Sequence, residues 1–282
     1  MAVSIRAPRR PPGWRPPGPA PAATVHQPEV WPHADEELCC LTGDWRILQR
    51  RRGHRWSLDD LVTAWFAVRH RTAAPPRRIA DLGCGIGAVL LMLAWRFSDA
   101  DCVGIEAQPA AVALARRSAA WNGAADRCRV QLGDLRDATV LADAGSFDLV
   151  TGTPPYVPLG TGRVPTRPLQ AACHLEYRGG IEAYCNSAAR LLAAHGRFIV
   201  CHAAAQTARA ERAAETAGLA VVERIDVIPR SGKPALFAVS AMRPCPYVPP
   251  AVLAPLVVRD ERGAWSPDFR ALRGQIGMPV QF

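Results

Sequence analysis

The sequence predicts an α/β protein built on one doubly wound, mostly parallel sheet of seven strands, with helices on both faces. Three observations support this fold class. Short apolar runs alternate with longer segments of helical apolar spacing, a glycine-rich turn joins the first run to its helix, and polar residues follow successive runs. Because the carboxyl ends of parallel strands meet at one edge of a sheet, we expect the ligand site at that edge.

The first strand and its turn organise the rest of the chain. The run 79–82 contains Asp81 and leads into Gly83, Gly85 and Gly87, after which a helix is predicted. Glycines let the backbone approach a bound molecule closely, and the helix N-terminus behind them offers free N–H groups. The spacing is Gly-x-Gly-x-Gly, whereas dinucleotide-binding folds carry Gly-x-Gly-x-x-Gly. The turn therefore predicts a ligand site and disfavours a dehydrogenase.

Further strands and helices alternate along the chain. The predicted strands are 79–82, 101–105, 128–132, 147–151, 196–200, 219–227 and 235–242, and the predicted helices are 87–97, 109–121, 181–194 and 203–217. Glu106 follows the second strand, roughly 20 residues past the glycines, where nucleotide-binding α/β units place a ribose-binding carboxylate. Asp134 follows the third strand. These acids are therefore expected at the same edge as the glycine turn.

A proline-stiffened loop follows the fourth strand and consists of Thr153, Pro154, Pro155 and Tyr156. Proline lacks an N–H and restricts the backbone, so the carbonyl groups of this loop are preorganised acceptors. The ring of Tyr156 offers a flat face for a planar base or amide. Stiff acceptors of this kind would act by positioning a bound group.

This order of motifs resembles the class I S-adenosylmethionine-dependent methyltransferases that carry a Pro-Pro-Tyr loop. From residue 41 onward it is most similar to the bacterial tRNA(Val) adenine-N6 methyltransferase family. The resemblance implies a Rossmann-like sheet whose last strand is antiparallel, S-adenosylmethionine as the cofactor, and methyl transfer to an amine nitrogen. It implies that the cofactor is held by Asp81, Gly83, Gly85, Gly87, Glu106 and Asp134, and the acceptor by Thr153, Pro154, Pro155 and Tyr156. That branch usually has Asn, Asp or Ser where this chain has Thr153. The Thr153 hydroxyl can accept a hydrogen bond, but it reaches less far from the backbone than the amide oxygen of Asn does.

The chain is expected to divide into four regions. Residues 1–33, rich in Pro and Arg, are predicted to form a disordered leader. Residues 34–72 are expected to pack on the core, with a hairpin over 44–56 and a helix capped by Ser57 and Asp60. The segment between this cap and the glycine strand is expected to cover the cofactor. Residues 73–243 form the predicted methyltransferase domain, and 244–282 an extension packed on it.

The composition of the chain limits which binding partners are plausible. The formal charge of +9 fits an RNA partner, with tRNA as the favoured substrate, but Lys233 is the only lysine, so arginine usage alone could explain the charge. RNA contacts are further suggested by Arg50 to Arg52 with Trp45 and Trp56, and by the turn 229–234. The alternatives are a solvated hairpin edge with core tryptophans for the first and a solvated loop for the second.

The nine cysteines show no metal-ligand spacing, which predicts no metal site and a reducing cytoplasm. No apolar run is long enough for a membrane span, and we expect a monomer.

Three functions remain open at this point. The first is an RNA adenine methyltransferase, and the second is a protein-glutamine methyltransferase that acts on a translation factor. The third is a non-catalytic scaffold with a methyltransferase fold. His174, in the segment after the loop, could serve as a base or be structural.

Overall fold

The computed structural model describes residues 5–6, 10–21, 27–53, 55–70, 74–156, 176–247 and 249–281. His174 and the substrate-side segment predicted over 157–169 lie outside the described residues.

An antiparallel hairpin of β1 (Glu36–Thr42) and β2 (Trp45–Arg50) precedes the sheet. The sequence predicts this hairpin over 44–56, and that position is wrong by one strand. The turn lies at Gly43, whose φ is +51°, and β1 comes before it. All but one of the β1 residues are buried, so the strand lacks the apolar–polar alternation that would indicate it.

One mixed sheet forms the centre of the molecule. Its long strands are β3 (Arg78–Leu82), β4 (Asp101–Glu106), β5 (Cys128–Leu132), β6 (Phe147–Gly152), β7 (Leu192–Ala203), β8 (Leu219–Ile228) and β9 (Phe237–Pro244). They lie in the order β5-β4-β3-β6-β7-β9-β8, and β9 runs in the direction opposite to the other six. Two short strands, β10 (Ala251–Val252) and β11 (Leu256–Val257), add to the edge at β8. The predicted fold class, with its antiparallel closing strand, is confirmed.

Helices cover both faces of the sheet. In the described part of the chain they are α1 (Leu58–Arg69), α2 (Ala88–Arg96), α3 (Pro109–Trp121), α4 (Ile181–Leu191), α5 (Thr207–Thr216) and α6 (Pro267–Gln275). One apolar cluster joins α1, α2 and α3 to the hairpin and to α6, and a second joins α4 and α5 to the other face. The predicted start of α1 is confirmed, because Asp60 accepts a hydrogen bond of 2.9 Å from the Ser57 N–H. None of the described helices is both long and apolar enough to cross a bilayer.

The terminal segments contact this body. The Arg10 guanidinium pairs with Asp44 in the hairpin turn, and the Gly43 N–H donates to the Gly277 carbonyl at 2.9 Å. Hairpin and C-terminal segment are therefore joined directly at Gly43. The division into four regions remains a prediction.

Candidate active site

The glycine turn connects β3 to α2 at the carboxyl edge of the sheet. Gly83 and Gly85 have φ values of +60° and +54°, in the left-handed region that favours glycine. A Cβ on Gly83 would lie 2.1 Å from the Tyr184 hydroxyl, whereas a Cβ on Gly85 would have no atom within 4 Å. Gly83 is therefore required by packing within the protein, and the backbone at Gly85 borders open space.

That open space is a cleft of about 420 Å³ at the carboxyl edge of the sheet. The predicted site residues that line it are Gly83, Gly85, Glu106, Asp134, Thr153, Pro154, Pro155 and Tyr156. The fold thus brings the glycine turn and the proline loop to one cavity, although β4 and β5 come between them in the chain. Asp81 and Gly87 are not among the lining residues.

Asp81 lies buried beneath the turn. Its Oδ1 accepts a hydrogen bond from the Thr151 hydroxyl at 2.8 Å, and its Oδ2 has no partner among the described residues. Burial raises the pKa of this carboxyl to about 7, against the lowering effect of the Thr151 bond. A direct contact with a bound molecule is not shown, so the predicted cofactor role of Asp81 remains a prediction.

Gly87 lies at the start of α2, outside the lining of the cleft. It is the residue before α2, with φ +88°, and a Cβ there would lie 3.2 Å from the Ala115 Cβ on α3. Close packing of α2 against α3 therefore explains this glycine, and its predicted contact with cofactor remains untested.

Glu106 and Asp134 both already have protein partners. The two carboxylate oxygens of Glu106 accept backbone N–H groups of Gly85 at 3.0 Å and Gln108 at 2.7 Å, which ties β4 to the glycine turn. Asp134 pairs with the Arg136 guanidinium at 2.6 Å, and hydrogen bonding by Arg136 holds the pKa of Asp134 below its usual value. Each carboxylate keeps lone pairs for a further donor.

Tyr156 is anchored at both its hydroxyl and its backbone. Its hydroxyl lies 3.0 Å from Asp59 Oδ2 and 2.6 Å from Cys201 Sγ, and its carbonyl accepts a bond of 2.9 Å from Gln206 Nε2. Burial raises the pKa values of the Tyr156 hydroxyl and the Cys201 thiol, so both stay protonated at neutral pH. The thiol therefore donates to the hydroxyl, and the hydroxyl donates to Asp59.

The start of α1 contributes residues to the cleft that the sequence analysis did not assign to it. Asp59 and Asp60 line the cavity, together with Tyr184 and Arg178. Burial raises the pKa of Asp60 well above its usual value, and the neighbouring Asp59 adds to the effect. From the sequence, the segment after the helix cap at Ser57 was expected to cover the cofactor, but no signal singled out Asp59 or Asp60 as residues of the cleft.

Substitution of Gly85 tests the cleft directly. Gly85→Ala is expected to weaken S-adenosylmethionine binding at least about tenfold, because the new methyl group projects into the cavity. The left-handed backbone costs the alanine variant about 1–2 kcal/mol of unfolding free energy. Gly218→Ala is the matched control, because Gly218 also has positive φ and open space around its Cβ position but lies outside the cleft. Isothermal titration of both variants with S-adenosylmethionine is the measurement; equal affinities would contradict the assignment.

A doubly wound sheet with an antiparallel closing strand, a Gly-x-Gly-x-Gly turn and an acid after the second strand together define a class I S-adenosylmethionine-dependent methyltransferase. The family model described as "Methyltransferase domain" matches residues 76–225. The chain belongs to this family, and S-adenosylmethionine is its methyl donor.

Curated relatives extend this result. A tRNA1(Val) (adenine(37)-N6)-methyltransferase of Porphyromonas gingivalis is 34% identical over 146 residues, 51% of this chain and 56% of that protein. A 4-amino-L-phenylalanine/4-methylamino-L-phenylalanine methyltransferase of Streptomyces pristinaespiralis is 37% identical over 156 residues, 53% of this chain and 51% of that protein. The chain thus spans about half the length of these two relatives. A tRNA1(Val) (adenine(37)-N6)-methyltransferase of Musicola paradisiaca is 28% identical over 215 residues, 75% of this chain and 82% of that protein.

Among solved structures, a predicted O-methyltransferase from Agrobacterium tumefaciens superimposes with a TM-score of 0.60 at 22% identity. The match covers 78% of this chain and 98% of that one. At this identity the match establishes the fold alone.

Proposed function

We propose that this methyltransferase transfers a methyl group to the exocyclic amine of adenine in RNA, with tRNA as the favoured substrate. The observation that carries the proposal is that the Thr153–Tyr156 loop lines the same cleft as the glycine turn. The cleft suits the cofactor, because Gly85 leaves room beside the turn and Asp81 Oδ2 beneath it is an unpaired buried acceptor among the described residues. Names of relatives that act on adenine or on an aromatic amine support the choice of an amine acceptor.

The chemistry asked of the protein is mainly positioning. When bound, S-adenosylmethionine supplies an electrophilic methyl group on a positively charged sulfur. The Thr153 hydroxyl and the Pro154 carbonyl would accept hydrogen bonds from the two amine hydrogens and direct the nitrogen lone pair toward that methyl carbon. The chain's own contribution would be to hold the amine in line with the donor, and the proton that the methylated nitrogen loses would pass to solvent water.

The acceptor class is tested by incubation with S-adenosylmethionine labelled in its methyl group. Total tRNA, rRNA, a protein fraction that contains release factors and 4-amino-L-phenylalanine serve as parallel acceptors. We expect label in RNA, and digestion should recover it as N6-methyladenosine. Label in protein alone would favour glutamine methylation, and cofactor binding without label in any fraction would favour a scaffold; either result overturns the proposal.

A second candidate is methylation of a free aromatic amine. The relative from Streptomyces pristinaespiralis favours it by its name, and an aniline nitrogen needs the same loop acceptors as adenine. Label in 4-amino-L-phenylalanine, with none in RNA, would select this candidate.

Thr153 offers a direct test of the loop. Thr153→Val removes the hydroxyl at nearly constant volume and is expected to lower the methylation rate about tenfold, the value of one hydrogen bond. Thr153→Ser keeps the hydroxyl and is expected to retain most of the rate. Single-turnover kinetics at saturating cofactor is the measurement, and equal rates for the valine and serine variants would remove Thr153 from the acceptor site.

A further inference from the structure

A second cavity of about 900 Å³ lies between the hairpin, the C-terminal segment and the N-terminal segment. We refer to it as the arginine–tryptophan groove, because its lining includes Arg6, Arg10, Arg55, Arg273, Trp56 and Trp265. In the described part of the chain, every charged side chain that lines it is an arginine. Basic groups interleaved with aromatic rings are the combination that binds single-stranded nucleic acid.

The groove keeps a positive charge after its ion pairs are counted. Arg6 and Arg55 share the carboxylate of Glu37, with 3.1 Å between Arg6 Nε and Glu37 Oε2, and Arg10 pairs with Asp44. Four guanidinium groups thus face two carboxylates. This excess of positive charge favours an anionic occupant.

Arg273 is the cation best placed for a ligand. Its guanidinium lies 4.1 Å from the centroid of the Trp265 ring, and its Nε donates to the Pro279 carbonyl at 3.0 Å, so the side chain is held in one orientation. Burial lowers its pKa to about 10, which leaves it charged at neutral pH. In the described part of the chain no carboxylate is paired with it.

An unpaired acceptor lies at the floor of the groove. Gln49 lines it with a residue exposure of only 2%, and Gln49 Oε1 has no hydrogen-bond partner among the described residues. A buried amide oxygen without a partner costs about 1–3 kcal/mol, so this position favours a ligand that brings a donor. The amino group or ring N–H of a nucleobase is such a donor, with a tryptophan as stacking partner and an arginine for the phosphate.

The groove is adjacent to the active-site cleft along the chain. Trp56 lines the groove, and the next three residues, Ser57, Leu58 and Asp59, line the cleft. Trp45, which the sequence analysis considered for base stacking, is only 2% exposed and belongs to the core. Trp56 is therefore the hairpin-side tryptophan available to a strand of RNA that passes from one cavity to the other.

We propose that the arginine–tryptophan groove binds an unpaired nucleotide of the same RNA whose adenine enters the cleft. The inference rests on the proposed function and adds a second contact, which separates recognition of RNA from recognition of the methylated base. Free small acceptors would use the cleft alone.

The test compares RNA binding by Arg273→Ala, Gln49→Leu and a control, Arg270→Ala. Arg270 is exposed on the same helix and does not line the groove. With a tRNA transcript in a filter-binding assay, we expect each groove variant to bind about tenfold more weakly and the control to bind as the native protein does. Arg273→Ala should also flatten the dependence of log K on log salt by about one unit. S-adenosylmethionine affinity should not change.

Gln49→Leu separates binding from folding. The variant removes the unpaired Gln49 Oε1 and also the hydrogen bond of the Gln49 side chain to Cys39. These two changes oppose each other in stability, so the melting temperature is expected to change little, and lower RNA affinity measured far below it cannot be ascribed to instability. If the native protein methylates RNA and both groove variants bind RNA as tightly as it does, the proposal that the groove binds a nucleotide is wrong. Failure of the native protein to bind or methylate RNA would instead overturn the proposed function, and the groove assignment with it.

Discussion

Tyr156→Ala is expected to transfer methyl groups at least about a hundredfold more slowly than the native protein, because a misplacement of about 1 Å at the acceptor can cost that much. The Tyr156 hydroxyl and carbonyl are both held, by Asp59, Cys201 and Gln206. Truncation removes the ring and its hydroxyl anchors, so the proline loop loses its fixed position. The measurement is the single-turnover rate at saturating S-adenosylmethionine with the acceptor that takes up label.

Two control variants separate the ring from its anchors. Tyr156→Phe keeps the ring but leaves the Asp59 carboxylate without its 3.0 Å partner, and we expect a loss of about tenfold, the value of one charge-assisted hydrogen bond. Asp59→Asn keeps an acceptor for the hydroxyl and should lie between Tyr156→Phe and the native protein. Cofactor affinity should stay unchanged in all three variants. A native rate for Tyr156→Ala would show that the loop does not hold the acceptor.

The part of the site that could be predicted from the sequence is the part that parallel strands determine. β3, β4, β5 and β6 each carry their polar residues at the carboxyl end, and parallel pairing in register must bring those ends together. The glycine turn, Glu106, Asp134 and the Thr153–Tyr156 loop therefore reach one cleft because of features that are local in sequence. The closing antiparallel strand β9 followed from the family resemblance, since strand direction leaves no mark on apolar spacing.

The contribution of α1 could not be predicted in this way. Asp59 and Tyr156 are 97 residues apart, and their contact depends on how α1 packs across β6 and β7. The hairpin was misplaced for a related reason, since β1 is buried on both faces and its apolar run carries no period. Asp81 shows a third limit. The sequence places its carboxylate at the end of a strand, but only the structure shows the Thr151 hydroxyl that turns it beneath the cleft.

Asp81→Asn is expected to raise the stability of the protein at pH 8 and to weaken S-adenosylmethionine binding. In the folded state burial raises the Asp81 pKa to about 7, from an ordinary value of 3.8. Between these values the folded state binds more protons than the unfolded state, so this group makes stability fall as pH rises from about 4 to about 7. Above that window the buried charge costs up to about 4 kcal/mol, a cost that asparagine does not carry.

Urea unfolding of both proteins at pH 4.5 and pH 8 measures the effect, since the first pH is about half a unit above the lower end of that window and the second is about one unit above its upper end. The stability difference should be small at the lower pH and large at the higher one, and since it is a difference between two proteins, other titrating groups cancel. Retention of a buried carboxylate whose Oδ2 has no hydrogen-bond partner among the described residues, at a stability cost, is understandable if the cofactor site uses it. If Asp81→Asn gained stability and bound S-adenosylmethionine as tightly as the native protein, the carboxylate would have no part in cofactor binding, and Gly83, Gly85 and Glu106 would have to carry that role without it.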